Sequence, residues 1–211
     1  TQTDLKEAPH RAGVSRLDFL GSSCFCSRDA AQPSRPDALI TGASNPKNDG
    51  YATAKFAGSI RLERNRHQCG QRSVSAAPAN FYRPRDDFDR EATHVLPALI
   101  HWSESARRDS MDTVRPWSSG TPRRELLHFD DFMDISICDA KVYDDLNPVN
   151  AGTGEGVLTT DLGTVVGKVL TTTTTFSGTP PGPIAPPKKC LDVNVMLVFS
   201  WKPSVALLNK T

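Results

Sequence analysis

The sequence predicts an α/β fold: an incomplete parallel sheet with its first strands missing, followed by a small C-terminal subdomain. Two observations predict it. Arg16-Leu-Asp-Phe-Leu20 has the length of a strand and runs straight into the small residues Gly21-Ser22-Ser23. A helix beginning near Tyr51 follows after a loop rich in Pro and Gly, and Ser73–Pro78 then reads as a short buried strand.

Composition narrows what such a chain can do. Its 211 residues suffice for one domain or one and a half with a real core. With 25 Lys and Arg against 24 Asp and Glu the charge is balanced, and the Arg residues are scattered, so neither nucleic acid nor an anionic membrane is an expected partner. No apolar run approaches the roughly 18 residues a membrane span needs, and a soluble, cytoplasmic chain is expected. Hydrophobic content of 37% with 16 Pro and 14 Gly predicts long loops around a lean core. The five Cys (Cys24, Cys26, Cys69, Cys138, Cys190) form no C-x-x-C pair, and no His is spaced for zinc, so no metal site is expected and free thiols are the default.

Taken in order, Thr1–His10 reads as a polar helix closed by Gly13. After the strand at 16–20, the segment from Arg28 to Gly50 is an irregular loop, punctuated by Pro33, Pro36 and Pro46. The helix from Tyr51 to Cys69 has Ala52, Phe56, Ala57, Ile60 and Leu62 as its apolar positions, with Arg61, Arg64 and Arg66 facing out and Gly70 ending it. Asn80-Phe-Tyr-Arg-Pro84 turns away from the strand at 73–78. His94–His101 has helical apolar spacing with His94 at its mouth, and Ser103–Ser119 is polar and unpatterned. Gly120–Asp131 reads as a turn, a strand and the start of a helix running to about Ala140. Val149–Gly154 is another strand-to-turn step, and Val157–Val169 a last amphipathic helix. Threonines at 171–175 and prolines over 180–187 make a low-complexity loop before Lys188–Asp192.

Chemistry concentrates where the first strand meets the first long helix. Tyr51 and Lys55, four apart, share one helical face, so the ammonium can sit close to the phenol oxygen and favour its ionised form. A Ser hydroxyl from the preceding strand end can hydrogen-bond the same substrate oxygen. Such a triad suits carbonyl and alcohol redox chemistry. Strand, small-residue turn and Tyr-bearing helix is the layout of the short-chain dehydrogenase/reductase superfamily.

Several further motifs stand in a fixed order: Gly21-Ser-Ser-Cys24, Tyr51-x-x-x-Lys55, Pro78-Ala-Asn80, His94-Val-Leu-Pro-Ala-Leu99, Trp117, Gly120-Thr-Pro-Arg-Arg124-Glu, His128-Phe-Asp-Asp131, Gly152-Thr-Gly154 and Lys188-Lys189-x-Leu-Asp192. In that order and spacing the chain, over about residues 6–203, resembles the GDP-L-fucose synthase family of extended short-chain dehydrogenases/reductases. The resemblance implies a Rossmann-like cofactor domain and a GDP-sugar substrate. It also implies NADP(H) as cofactor, and a homodimer formed through the Tyr-bearing helix.

It implies roles as well. Cys24 and His94 match the acid/base pair that inverts the carbons flanking a sugar ketone. Tyr51 matches the proton donor of the reduction, Lys55 the residue that tunes it and holds the nicotinamide ribose, and Ser22 the hydroxyl on the carbonyl oxygen. Leu20, Gly21, Ser22, Ser23, Lys55, Pro78, Ala79, Asn80, Phe81 and His94 fall at cofactor positions, and Trp117, Arg124 and Lys189 at substrate positions. On their own, His94 reads as a helix cap, Cys24 as a small buried hydrophobe and Arg124 as a solvated charge.

The departures matter too. The glycine-rich dinucleotide turn is absent, so the chain is expected to begin near the fourth strand of the cofactor domain. Trp102 stands where the family has a substrate-binding Arg, and Arg83 where it has a Gly. The expected division is a Rossmann-like part over 1–95 with a return at 125–150, and a substrate-binding subdomain from 96–124 and 151–211. Three readings of function stay open: an epimerase-reductase or a fragment of one, an inactive remnant that binds nucleotide sugar, and another sugar-nucleotide epimerase or dehydratase of the superfamily.

Overall fold

The computed structural model describes residues 8–9, 11–25, 31–36, 49–88, 94–111, 113–114, 120–170, 175–176 and 188–204. Most of the expected N-terminal helix, the threonines at 171–174, the prolines over 180–187 and Trp117 lie outside them.

A parallel three-stranded sheet forms the centre, in the order β1 (Arg16–Leu20), β2 (Arg72–Pro78), β7 (Val149–Ala151). Leu20 lies beside Ala76 and Pro78 beside Ala151, so all three strands end at the same edge. The middle strand is buried from Ser73 to Ala77 and built from small residues, which lets helices approach closely on the sheet. Against it packs α1 (Asp49–Cys69). Ser59 and Ser75 satisfy each other there, with hydroxyls 2.7 Å apart, and Ser73 donates to the Leu62 carbonyl. The buried face of α1 therefore runs through Ala52, Ser59 and Leu62, while Ala57 is exposed, contrary to its expected place among the apolar positions. Arg66 likewise does not point into solvent. It reaches Asp144, at 2.8 Å, because the loop before β7 passes beneath the helix end.

Three other segments depart from expectation. Residues 80–84 do not simply turn away: β3 (Asn80–Tyr82) pairs in parallel with β6 (Leu126–His128). The helix at His94 continues to Arg108 as α2 (Val95–Arg108), since Ser103 and Ala106 are small enough to face inward and Glu104 pairs with Arg107 and Arg108 outside. The helix after 157 is α4 (Thr159–Val169), and it is not the last, because the short α5 (Asn194–Val198) follows. In α3 (Phe129–Val142) the cap is His128, whose ring nitrogen accepts the Asp130 amide. Asp131 instead turns inward and binds both the amide and hydroxyl of Ser204.

Two apolar clusters result. Val74, Ala76, Leu127, Phe132, Ile135, Val149 and Met196 fill the first, between sheet, α3 and α5. Leu96, Leu99, Leu126, Leu162 and Val166 fill the second, between α2 and α4. Short strands complete the molecule: β4 (Thr113–Val114) pairs with β9 (Thr175–Phe176), and β5 (Arg123–Arg124) lies between β8 (Val157–Leu158) and β10 (Lys188–Lys189). None of the helices of the described residues is long and apolar enough to cross a membrane.

Glu125 ties these parts together. It is 1% exposed, and its carboxylate accepts the Gly154 amide at 2.8 Å and the Leu191 amide at 2.6 Å. A Cβ on Gly152 would stand 2.0 Å from its Oε1. Because two backbone bonds hold that oxygen pair, it cannot swing aside. Gly152→Ala is therefore expected to destabilise the fold by about 2 kcal/mol in denaturant titration, whereas alanine at Gly13, which has open space but a φ of +70°, costs only backbone strain.

Candidate active site

The turn after β1 and the chain after β2 meet at the shared carboxyl edge of the sheet, the place where open α/β sheets bind ligands. Gly21 donates to the Ala76 carbonyl at 2.7 Å, fixing the direction in which the chain leaves β1. Ser22 and Ser23 are buried and Cys24 half-buried in the one-turn helix Ser23–Phe25. The Ser22 hydroxyl accepts the Cys24 amide at 3.1 Å, which leaves its own proton free to be given to a substrate oxygen.

Tyr51 and Lys55 lie one turn apart on α1, and the Lys55 ammonium bonds a strand carbonyl rather than the phenol. Lys55 Nζ donates to the Leu20 carbonyl at 2.6 Å and stands 5.7 Å from the centre of the Tyr51 ring, with the Phe19 ring at 5.3 Å. Burial pushes the Lys55 ammonium below its ordinary range. Tyr51 itself is exposed, so the phenol sits at the mouth of the site. The structure thus brings Leu20, Gly21, Ser22, Tyr51 and Lys55 together.

Residues 78–81 are held beside them. Ala79 donates to the Ala151 carbonyl, and both the backbone and side-chain nitrogens of Asn80 reach the Glu125 carbonyl, at 3.3 and 3.0 Å. Phe81 packs at a tilt against Phe132, with ring centres 4.6 Å apart and planes at 46°.

A second group joins from the far end of the sequence. Lys189 lies directly beside Arg124 in the parallel β5–β10 pair, and its ammonium reaches Cys24 Sγ at 3.7 Å. Burial pushes the Arg124 guanidinium below its usual value, and its Nη1 donates to the Arg123 carbonyl. Two adjacent half-buried cations suit a diphosphate.

His94 stands apart. It is exposed at the N-cap of α2, where its carbonyl accepts the Ala98 amide and its side chain makes no capping bond. Among the described residues no hydrogen bond ties its ring to Cys24. Trp117 is outside the described residues, and Trp102 packs against the second apolar cluster. No group of His, Cys, Asp and Glu able to hold a metal occurs among the described residues.

Sequence reasoning missed the residues that hold this site in shape. Glu125 is one. Asn150, 1% exposed, is another: its side-chain amide donates to the carbonyls of Ser34 at 2.8 Å and Asp192 at 3.1 Å. Gln32 accepts the Cys190 amide, so residues 32–34 are strapped to the strand that carries Lys189. Only the glycines at 152 and 154, which mark a close backbone approach, hinted at any of this.

A parallel sheet with a strand-end Ser turn and a Tyr-x-x-x-Lys helix packed over it defines the short-chain dehydrogenase/reductase class. More narrowly, the chain belongs to the NAD dependent epimerase/dehydratase family, whose model matches residues 1–152. It is 35% identical over 206 residues to the GDP-L-fucose synthase of Sinorhizobium fredii, covering 98% of this chain and 66% of that protein. GDP-L-fucose synthase 1 of Arabidopsis thaliana is 35% identical, covering 98% and 64%. The Escherichia coli GDP-L-fucose synthase is 32% identical, covering 98% and 67%. Among solved structures, a GDP-L-fucose synthetase from Naegleria fowleri bound to NADP superposes with a TM-score of 0.85 at 20% identity, over 97% of this chain and 66% of that one. The chain thus spans about two thirds of the length of these relatives, and the expected Rossmann-like α/β fold is borne out.

The Lys55–Leu20 bond is open to test. Lys55→Met, which keeps the stem and deletes the donor, is expected to cost about 1 kcal/mol of stability by denaturant titration, and Lys55→Gln less than half of that.

Proposed function

We propose that this chain carries the reacting groups of an NADPH-dependent epimerase-reductase that converts GDP-4-keto-6-deoxy-D-mannose to GDP-L-fucose. The observation that carries the reading is the meeting of Cys24 and Lys189, which joins the Ser-Ser-Cys turn to the cation pair at one end of the sheet. The named activities of the relatives support it.

The roles proposed are those the resemblance implies. Arg124 and Lys189 grip the diphosphate and set the sugar over the turn. Cys24 Sγ removes a proton from a carbon beside the ketone, and His94 returns one to the opposite face, so the α2 N-terminus closes over the substrate. Ser22 Oγ hydrogen-bonds the ketone oxygen, and Tyr51 Oη gives it a proton while Lys55 supports the phenolate that is left. Residues 20–23 and 78–81, with Lys55, fit the nicotinamide end of the cofactor. NADP(H), when bound, supplies the hydride. No glycine-rich turn for its pyrophosphate is present in this sequence.

The division into a Rossmann-like part (1–95 and 125–150) and a substrate-binding part (96–124 and 151–211) belongs to this proposal. So do pairing of two copies through α1, a cytoplasmic location and the contact of Trp117 with the sugar nucleotide.

Two measurements test the reading. The chain is expected to catalyse solvent hydrogen exchange at the carbons flanking the ketone, and Cys24→Ser to reduce it by about a hundredfold or more. An unchanged rate removes Cys24 from the mechanism. Lys189→Ala with Arg124→Ala is expected to weaken GDP binding in calorimetry by at least tenfold. GDP binding without exchange leaves the second reading, a nucleotide-sugar-binding chain without turnover.

A further inference from the structure

Beneath the site, between β1 and α3, lie two acids that the chemistry above does not use. Asp18 is the central residue of β1, beside Val74, and both its carboxylate oxygens are buried without a hydrogen-bond partner among the described residues. Asp139, on the inner face of α3, is 0% exposed, and both its oxygens are likewise unpartnered. One turn earlier on the same face, the Ser136 hydroxyl is 9% exposed and also unpartnered.

The groups that face this pair can be named from every side. From α3 come Ser136 and, past its end, Tyr143, whose hydroxyl donates to the Asn147 carbonyl at 3.0 Å. β2 contributes the backbone of Ala76. The cations nearby are engaged elsewhere: Arg16 donates to the Ala140 carbonyl at 2.7 Å, and Arg66 and Arg72 both pair with Asp144. Among the described residues no ion pair neutralises the two acids. Two unpaired carboxylates cannot both stay ionised inside a core, because each costs several kcal/mol of lost hydration.

We propose that Asp18 and Asp139 are a proton-sharing acid pair that clasps α3 to β1, and that ionising both loosens the strand leading into the Gly21–Cys24 turn. With one proton, one carboxyl donates to the other, and the pair is satisfied without a counter-ion. With none, like charges face each other in the core. Burial pushes Asp18 up to about 6, the nearby Ser136 hydroxyl and Ala76 backbone offsetting part of this without reaching hydrogen-bond geometry, and burial together with the charge on Asp18 pushes Asp139 up to about 7. In the unfolded chain both acids ionise near 4. The folded state therefore holds protons that the unfolded state has lost. This contribution to stability is fully present only below about pH 4, falls as pH rises from there through about 6 to 7, and is level above, the reverse of a salt-bridged carboxylate. Leu20 and Gly21, two and three residues past Asp18, give the Lys55 and Ala76 contacts, so the loss reaches the site directly.

Thermal unfolding of the whole chain at about pH 4 and about pH 8.5 tests this, comparing the native protein with Asp139→Asn and Asp18→Asn. Each variant is expected to unfold near the native temperature at the lower pH. The native midpoint should then fall between the two pH values by about 5 °C or more beyond the fall in either variant. Hydrogen exchange at the Gly21 amide, corrected for its intrinsic pH dependence, should lose protection over the same range in the native chain only. Equal pH slopes in all three proteins overturn the proposal. Stabilisation at the higher pH by millimolar calcium chloride that both substitutions abolish also overturns it, since a cation and not a proton would then lie between the carboxylates.

Discussion

The buried carboxylate of Glu125 is the constraint on which the rest of the structure depends. Its two oxygens satisfy amides from the turn after β7 and from the strand that ends at Leu191, while its own carbonyl receives Asn80. Chain segments from three distant parts of the sequence are thereby fixed to one residue. A buried carboxylate is expensive unless its lone pairs are filled, and here backbone donors fill them. Burial still raises the Glu125 carboxyl, and the amides of Leu191 and Gly154 pull it back. Arg124, one residue before it, inherits its position from this anchor, and so does Lys189, two residues before Leu191.

What the sequence allowed to be read, and what it did not, divides along a physical line. Tyr51 and Lys55 were legible because helical spacing alone sets their relation. Likewise, β1 and its small-residue turn were legible from length and composition. The pairing of Arg124 with Lys189 was not, because a two-stranded register between residues 65 apart leaves no trace in either local pattern. Nor was the inward turn of Ser59: hydroxyls that satisfy each other, as Ser59 and Ser75 do, behave as core residues, whereas a pattern read on apolar positions favours Ala57. Glu125 sits in a charged run, Arg123-Arg124-Glu125, that reads as surface. Only Gly152, where an added Cβ would strike its carboxylate, and Gly154, whose amide it accepts, mark it as buried.

The site illustrates how a fold sets chemistry through backbone as much as through side chains. The Leu20 carbonyl orients the Lys55 ammonium, and the Ser22 hydroxyl is oriented by the Cys24 amide. Neither contact depends on a second ionisable group, so both persist whatever the protonation of the substrate-facing residues. Lys189 is different. Its contact with sulfur is long and soft, and the same ammonium lies in register with a guanidinium.

The two short strands β3 and β6 carry a last consequence. Leu127 and Phe81 serve the first apolar cluster while their neighbours Leu126 and Tyr82 serve the second. Because successive side chains on a strand point opposite ways, this ribbon is a party wall with one tenant on each side. Sliding it by a single residue would evict both tenants at once. The two halves of the molecule are thus indexed to each other like the scales of a vernier, and neither can shift its alignment without the other registering the error.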